Sequence, residues 1–231
     1  MNIVFEGIDA SGKTTIINYL KNILINNQKK CQVIADLKEP TPLLPIFEEM
    51  FSSNFLELDE HFKTSIYETL LFACSHFYIK EKNKLNNHIT IYDRDIFTLL
   101  AYQKELIRRE YPKDYEKFFK PFKQMLLFEE KKIDLLVYVQ IPLEENIKRK
   151  KTRDKLDFTD EDEQKLKIFK ENLEIELQEY KSNHPETVMI SLDGRDSVSK
   201  NCNIILNNMQ KIEINNITSS KDRGEINGKI F

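Results

Sequence analysis

The chain has 231 residues, of which 40% are hydrophobic and 32% are charged, a composition that fits one folded domain with a sizeable core. Its net charge of −3 gives no overall attraction to nucleic acid or to an anionic membrane surface. No apolar run of about 18 residues and no signal peptide is recognisable, and the three scattered cysteines lack metal-ligand spacing, so we expect a cytoplasmic protein with reduced, mostly buried cysteines.

Short apolar runs alternate with longer amphipathic stretches along the chain. The apolar runs predict strands at 2–6, 31–37, 88–92, 134–140 and 187–192. The amphipathic stretches predict helices near 13–26, 59–82, 96–109, 113–131, 142–152, 160–181 and 197–212. Strands separated by helices predict right-handed βαβ units and an α/β fold with a central parallel sheet of about five strands. We expect one domain over 1–212 and a polar tail over 213–231 that is loose or packed locally.

The first predicted strand and helix are joined by Gly7-Ile8-Asp9-Ala10-Ser11-Gly12-Lys13-Thr14, which matches the P-loop pattern G-x-x-x-x-G-K-[ST]. The glycines let successive backbone N–H groups converge on phosphate oxygens, and the start of the next helix attracts anions. Lys13 is expected to reach the β- and γ-phosphates, and the Thr14 hydroxyl to bind Mg²⁺. The loop, extended by Thr15, is therefore a predicted nucleoside triphosphate site.

The pair Asp93-Arg94 follows a β-rich apolar run and so lies where the third strand ends, at the edge where parallel sheets bind ligands. A carboxylate there can hold Mg²⁺ or its waters, and a guanidinium can grip a phosphate bidentately. The alternative is a salt-bridged surface turn. Given the P-loop, we favour Asp93 as a metal ligand and Arg94 as a phosphate ligand.

Residues 148–155 carry six basic side chains in eight positions. Such a run is most often a solvated helix face. In a phosphotransferase it can instead close over the phosphates, and a single arginine finger is worth about 10³–10⁵ in rate. We favour a basic lid over about 148–160, and we expect the acidic residues 160–163 to begin the next helix.

The helix predicted at 59–82 carries an aromatic stripe that includes Phe72 and, one turn further on, His76. Such a stripe is usually core, although Phe72 could equally present its face to a flat base. His76 is either a hydrogen-bonded, partly buried histidine or a substrate contact. The spacing leaves these possibilities open.

Together these motifs resemble the thymidylate kinase family of P-loop nucleoside monophosphate kinases, which pass a phosphoryl group from ATP to dTMP. The resemblance covers about residues 1–212. The matching segments are the P-loop preceded by Phe5-Glu6, Leu71-Phe72-Ala73, Asp93-Arg94 followed by Leu100-Ala101-Tyr102-Gln103, the strand at 133–139, and the basic residues 148–157. It implies a three-layer P-loop NTPase fold, ATP with Mg²⁺, a role in nucleotide biosynthesis, and a homodimer.

The resemblance also implies roles in the acceptor site. Asp9 would contact the sugar 3′-hydroxyl, Phe72 would stack on the base, and Arg94 would hold the acceptor phosphate. Tyr102 would crowd out a ribose 2′-hydroxyl, and Gln103 would help to line the pocket. The complete predicted substrate-binding set is Asp9, Glu39, Pro40, Phe72, His76, Arg94, Tyr102 and Gln103.

The catalytic cation comes either from the P-loop or from the lid in this family. The variable P-loop positions of this chain hold no basic residue, whereas the lid is rich in them. That points to Arg153 as the catalytic lid residue, beside Lys13 and Arg94, with Arg149 and Lys151 in support. Arg149 is also expected to bind ATP.

This chain departs from the family pattern mainly in the acceptor site. Lys38-Glu39-Pro40-Thr41-Pro42 stands where bacterial members have R-E-P-G-G-T, and His76 aligns with a base-contacting arginine. Asp95 replaces an aromatic residue and Phe158 a lid arginine. Two other functions therefore stay open: a deoxynucleoside kinase with Glu39 as general base, and a nucleotide-binding regulator without turnover.

Overall fold

The computed structural model describes residues 1–35, 41–43, 45, 65–83, 89–128, 132–154 and 159–226. Within these ranges the strands are β1 (Asn2–Glu6), β2 (Cys31–Ile34), β3 (Ile89–Asp93), β4 (Leu135–Gln140) and β5 (Val188–Asp193). The helices are α1 (Lys13–Asn26), α2 (Ser65–Lys82), α3 (Ile96–Glu110), α4 (Tyr115–Phe128), α5 (Leu143–Asp154), α6 (Asp160–Asn183) and α7 (Val198–Ile226). None of these described helices combines the length and apolar character that crossing a bilayer requires.

The five strands form one parallel sheet in the order β2-β3-β1-β4-β5. Because β1 is central, Phe5 lies opposite Asp93 of β3 on one side and Val137 of β4 on the other. The segments that follow β1, β3 and β4 therefore leave the sheet side by side. The predicted α/β fold with a central parallel sheet of about five strands is confirmed.

Helices cover both faces of the sheet. Successive side chains of β1 point to opposite faces, so each packs against the helices on its own side. Val4 packs into a core with side chains from α2, α3, α4 and α6. Ile3 and Phe5 pack into a second core with α1 and α7. Burial of a central strand on both faces explains its continuous apolar sequence, and the result is the expected three-layer arrangement.

Element ends differ from the sequence predictions at a few places. Four strands agree to within one residue, but β2 ends at Ile34 instead of residue 37. Helix α7 continues to Ile226, so the chain is helical through much of the segment that we expected to be loose or packed locally. The start of α6 agrees with the prediction because a capping box fixes it: Thr159 and Asp162 each accept a hydrogen bond from the other's backbone N–H.

The expectation of mostly buried cysteines was wrong. All three thiols are free, as expected, but only Cys202 is buried, while Cys31 is partly buried and Cys74 is exposed. Cys74 lies on a face of α2 that packs against neither core. Apolar residues occur on more than one face of this helix, so the sequence pattern does not show which face is exposed.

The turn after β5 packs directly against the P-loop. A Cβ atom on Gly194 would lie 2.0 Å from the backbone oxygen of Ser11 and 2.8 Å from Cγ2 of Ile141. Only a residue without a side chain fits, so Gly194 sets how closely this turn approaches the loop.

We expect Gly194→Ala to lower the free energy of unfolding by about 1–3 kcal/mol, because the added methyl meets backbone that cannot move without displacing the P-loop. Urea unfolding monitored by circular dichroism measures the change. Arg195→Ala, at the exposed neighbouring position, is the matched control. Equal stability of the two variants would contradict the proposed close packing.

Candidate active site

The loop between β1 and α1 is curled around two glycines. Gly7 has a φ of +146° and Gly12 one of +102°, and a Cβ atom on Gly7 would lie 2.3 Å from the backbone oxygen of Val139. Gly12 is also the N-cap of α1, so the first N–H groups of that helix open onto the loop. This backbone is an anion-binding concavity of the kind that holds phosphates.

Lys13 is folded back into this loop. Its ammonium is buried and donates hydrogen bonds to the backbone oxygens of Gly7 at 2.7 Å and Ile8 at 3.0 Å. Burial and, to a smaller extent, the nearby charge of Arg94 lower the pKa of Lys13 to about 7, against the opposing charge of Asp93. An anion in the loop would reverse this effect, so the site is electrostatically suited to phosphate.

Thr14 and Asp93 bring two oxygen atoms together at the mouth of the loop. The Thr14 hydroxyl donates to Oδ2 of Asp93 at 2.9 Å. Mg²⁺ takes hard oxygen ligands in an octahedron at 2.0–2.1 Å, in which neighbouring ligands are about 2.9 Å apart. The pair therefore fits this cation, with the remaining positions left to water and phosphate oxygens. Among the described residues no group of three or more His, Cys, Asp or Glu side chains could hold a metal.

Arg94 begins the turn after β3 with a left-handed φ of +74°, which is uncommon for a residue other than glycine. Its N–H donates to the backbone oxygen of Phe5 at 2.9 Å, which ties the turn to β1. Its guanidinium donates to Oγ1 of Thr98 at 3.2 Å and to Oδ1 of Asp9 at 2.5 Å. The turn is salt-bridged, as in the alternative, but only 12% of the Arg94 side chain is exposed, and its role as a phosphate ligand stays a prediction.

Asp9 joins the P-loop to two cations from other elements. One carboxylate oxygen pairs with Arg94, and the other lies 3.7 Å from Nη2 of Arg153 at the end of α5. Burial raises the pKa of Asp9, but the charges of Arg94 and Lys13 outweigh that effect and hold it at about 2. Asp9 is thus a permanent anion where phosphates are expected to arrive.

The residues of the predicted base pocket that the structure describes lie on α2 and α3. Phe72 is buried there, and Tyr102 stacks on Phe169 with ring centroids 4.0 Å apart. Burial raises the pKa of Tyr102 to about 12, so its phenol keeps its proton at neutral pH. His76 is buried with Nδ1 3.7 Å from Oδ1 of Asp95. Its burial agrees with the first of the two alternatives for His76, a buried histidine. A contact of His76 with the substrate stays a prediction.

Gln103 belongs to a buried polar cluster on the same side. Its Oε1 accepts from the Thr69 hydroxyl at 2.5 Å, and its Nε2 donates to Glu68 at 3.2 Å. Burial raises the pKa of Glu68 above its usual range. The cluster links α2 to α3, and a role of Gln103 in lining the pocket stays a prediction.

The basic segment continues α5 as far as Asp154. Arg149 reaches from this helix to the turn after β5, where Nη1 donates to the backbone oxygen of Gly194 at 3.2 Å. Lys151 and Arg153 are exposed. Residues 155–158 of the predicted lid lie outside the described residues, as do Glu39 and Pro40.

Three residues to which the sequence analysis gave no role support this site. Glu6 is fully buried at the end of β1 and accepts hydrogen bonds from the N–H groups of Asp95 and Thr98 and from the Thr98 hydroxyl. Asn146 of α5 donates to the backbone oxygen of Asp9. Gly194 is the third. An acidic residue ending an apolar strand was the available signal for Glu6, whereas no local pattern marks the other two.

The curled loop at the central strand, the cations that face it and the parallel sheet define the class of P-loop nucleotide-binding proteins. A model of the thymidylate kinase family matches residues 5–201. The chain therefore belongs to the thymidylate kinase family.

One relative has the same family name, and one solved structure shares the fold. The chain is 33% identical over 106 residues to a probable thymidylate kinase of Methanobrevibacter smithii, a match that covers 45% of this chain and about half (52%) of the relative. Its fold is similar to that of deoxyadenosine kinase from M. mycoides, solved with bound dATP. The TM-score is 0.60 at 18% identity, over 91% of this chain and 100% of the other.

We expect the buried Glu6 carboxyl to make stability depend on pH. Burial raises its pKa from 4.5 to about 7, although the Thr98 hydroxyl and the charge of Arg94 lower it. Since the folded-state pKa is the higher one, the stabilisation is complete below pH 4.5 and is lost as the pH rises through about 7. The free energy of unfolding should fall over this window in the wild type more than in Glu6→Gln.

Chemical denaturation across this pH range measures both curves. Glu144→Gln, at an exposed position on α5, controls for the loss of one carboxylate. Parallel curves for the wild type and Glu6→Gln would contradict the raised pKa.

Proposed function

We propose that this chain transfers the γ-phosphoryl group of ATP to the 5′-phosphate of dTMP, giving ADP and dTDP. The observation that carries the proposal is the meeting at Asp9 of a P-loop, the αL arginine of the β3 turn and an arginine of the lid helix. The cationic groups of Lys13, Arg94 and Arg153 thereby surround the Asp9 carboxylate. Membership of the thymidylate kinase family supports the choice of reaction.

On the donor side, the P-loop N–H groups and Lys13 bind the triphosphate. The ammonium exchanges its bonds to the Gly7 and Ile8 oxygens for bonds to the β- and γ-phosphates, which restores the charge that burial disfavours. Thr14 and Asp93 would hold Mg²⁺, whose chemical contribution is to neutralise phosphate charge.

On the acceptor side, Arg94 exchanges Asp9 for the monophosphate of the substrate. Its guanidinium can bind two phosphate oxygens at once, which positions the acceptor as well as attracting it. Asp9 is then released to accept a hydrogen bond from the sugar 3′-hydroxyl. Phe72 would stack on the base, while Tyr102 and Gln103 complete the pocket.

The transfer itself needs positioning and charge neutralisation more than proton transfer. An oxygen of the acceptor phosphate forms a bond to the γ-phosphorus, and the bond to the β,γ-bridging oxygen breaks, with its electron pair left on ADP. The acceptor oxygen is already anionic, so no general base is required. Arg153 would neutralise the charge on the moving group, and Lys13 that on the leaving group.

The function is tested by ADP release from ATP and Mg²⁺ with dTMP, thymidine and the other deoxynucleosides and their monophosphates offered one at a time. Turnover with dTMP is the expected result, and Lys13→Ala should cost several kcal/mol of transition-state stabilisation. Turnover with a nucleoside alone would assign Glu39 as the base of a deoxynucleoside kinase. ATP binding without turnover on any acceptor would favour a regulator.

We expect Arg153→Ala to lower kcat by about 10³-fold with a much smaller change in the KM for ATP, because its charge acts on the transferring group. Steady-state kinetics with the best acceptor of that panel measure both constants. Lys148→Ala removes an exposed cation from the same helix and should leave kcat near the wild-type value. A change in KM alone would make the lid a binding element.

The homodimer implied by the family resemblance has a candidate surface on α2. Tyr67, Leu70 and Tyr78 are 55%, 47% and 40% exposed and, with the exposed Cys74, follow one face of the helix. Apolar patches of this kind mark protein interfaces. We place the dimer contact there. The cytoplasmic location also stays a prediction.

We expect Leu70→Glu to shift the protein from dimer to monomer, because a carboxylate would be buried opposite its own symmetry mate. Sedimentation equilibrium measures the assembly state. Ile175→Glu, at a similarly exposed position on α6, is the control and should leave the dimer intact. A wild-type monomer, or a dimer unaffected by Leu70→Glu, would contradict this surface.

A further inference from the structure

A buried pair of opposite charges lies beneath the acceptor site and has no part in the transfer described above. Nζ of Lys80, on α2, is 2.7 Å from Oδ2 of Asp95, whose side chain is fully buried. Lys80 also lies over the ring of Tyr92, 4.0 Å from its centroid. The pair thus joins α2 to the turn between β3 and α3.

Asp95 follows the strained residue Arg94 directly. Its Oδ1 accepts from the N–H of Ile96 and caps α3, and its own N–H donates to Glu6. A left-handed conformation at a non-glycine residue costs free energy and persists only where its surroundings hold it. The backbone N–H and the side chain of Asp95 are both hydrogen-bonded, so Asp95 is one of the groups that hold Arg94 in place.

Lys80 is in turn aligned with the predicted base site. Phe72, His76 and Lys80 are spaced by four residues and all buried, so they form one stripe along α2. One end of the stripe carries the ring expected to stack on the base, and the other end holds Asp95. A displacement of α2 would therefore also displace the turn that orients the Arg94 guanidinium.

We propose that Lys80 is a positioning residue for the acceptor phosphate: through Asp95 it couples α2 to the αL turn that aims the Arg94 guanidinium. This inference rests on the proposed function, since it takes Arg94 to hold a monophosphate. Lys80 itself touches no substrate. Removal of its ammonium leaves Asp95 buried without that counter-charge, so the cap and the turn shift together.

The affinity that a phosphate adds to the acceptor isolates this effect. Titration calorimetry gives Kd for thymidine and for dTMP. The Kd for thymidine divided by the Kd for dTMP measures how much affinity the phosphate adds. Lys80→Met should lower this ratio about tenfold and leave the Kd for thymidine nearly unchanged. Lys80→Arg, which keeps the charge, should restore most of the ratio. Lys82→Met, at an exposed position on the same helix, should not change it.

Two further variants establish the route of the effect. In the Arg94→Ala background, Lys80→Met should have no additional effect on the ratio. If Lys80→Met fails to fold, the double variant Lys80→Met with Asp95→Asn leaves no unpaired buried charge but still breaks the link between α2 and the turn, so it should also lower the ratio.

The outcomes separate the two claims. Wild-type protein that binds thymidine and dTMP equally would overturn the proposed function and this inference with it. A preference for dTMP that survives Lys80→Met, or an equal loss of both ligands in that variant, would overturn the inference alone. An undiminished effect in the Arg94→Ala background would show that Lys80 does not act through Arg94.

Discussion

The ion pair between Asp9 and Arg94 is the interaction on which the rest of the site depends. It connects the P-loop to the turn after β3, and Arg153 of α5 approaches the same carboxylate from the other side. In the free protein Asp9 therefore supplies the negative charge around which the cations gather. In the proposed reaction a phosphate replaces this carboxylate, so the site is organised for an anion before one binds. That order reduces the reorganisation needed at the moment of transfer.

This arrangement is supported by buried polar groups beneath it. Glu6 holds the N–H groups that begin α3, Asp95 caps the same helix, and Lys80 compensates Asp95 from α2. Such groups add little net stability compared with an apolar core, because each charge must be desolvated. They fix backbone geometry instead, and here the fixed geometry is the left-handed conformation of Arg94. Asp95 departs from the family's sequence pattern, and in the structure it has buried partners of its own in Glu6 and Lys80.

The fold was predictable because its signals are local: apolar runs mark the strands, and the P-loop marks the end of β1. The meeting of Thr14 with Asp93 was also predictable, since parallel strands end at one edge. The contacts of Asn146 and Gly194 were not, because each joins segments far apart in the chain. The contact of Lys80 with Asp95 was not either, because no spacing pattern links a helix to the turn after a later strand. The end of β2 at Ile34 likewise depends on where its pairing with β3 stops, and the length of α7 exceeds what its polar sequence indicates.

The central claim is that the acceptor is a phosphate held by Arg94 and not a hydroxyl. Phosphorus NMR of a reaction with ATP, Mg²⁺ and dTMP tests it most directly, because a new P–O–P linkage couples two phosphorus nuclei. We predict that the dTMP singlet is replaced by the two coupled doublets of a nucleoside diphosphate, together with those of ADP. An unchanged dTMP signal, with a new monoester resonance when thymidine is offered instead, would contradict the claim.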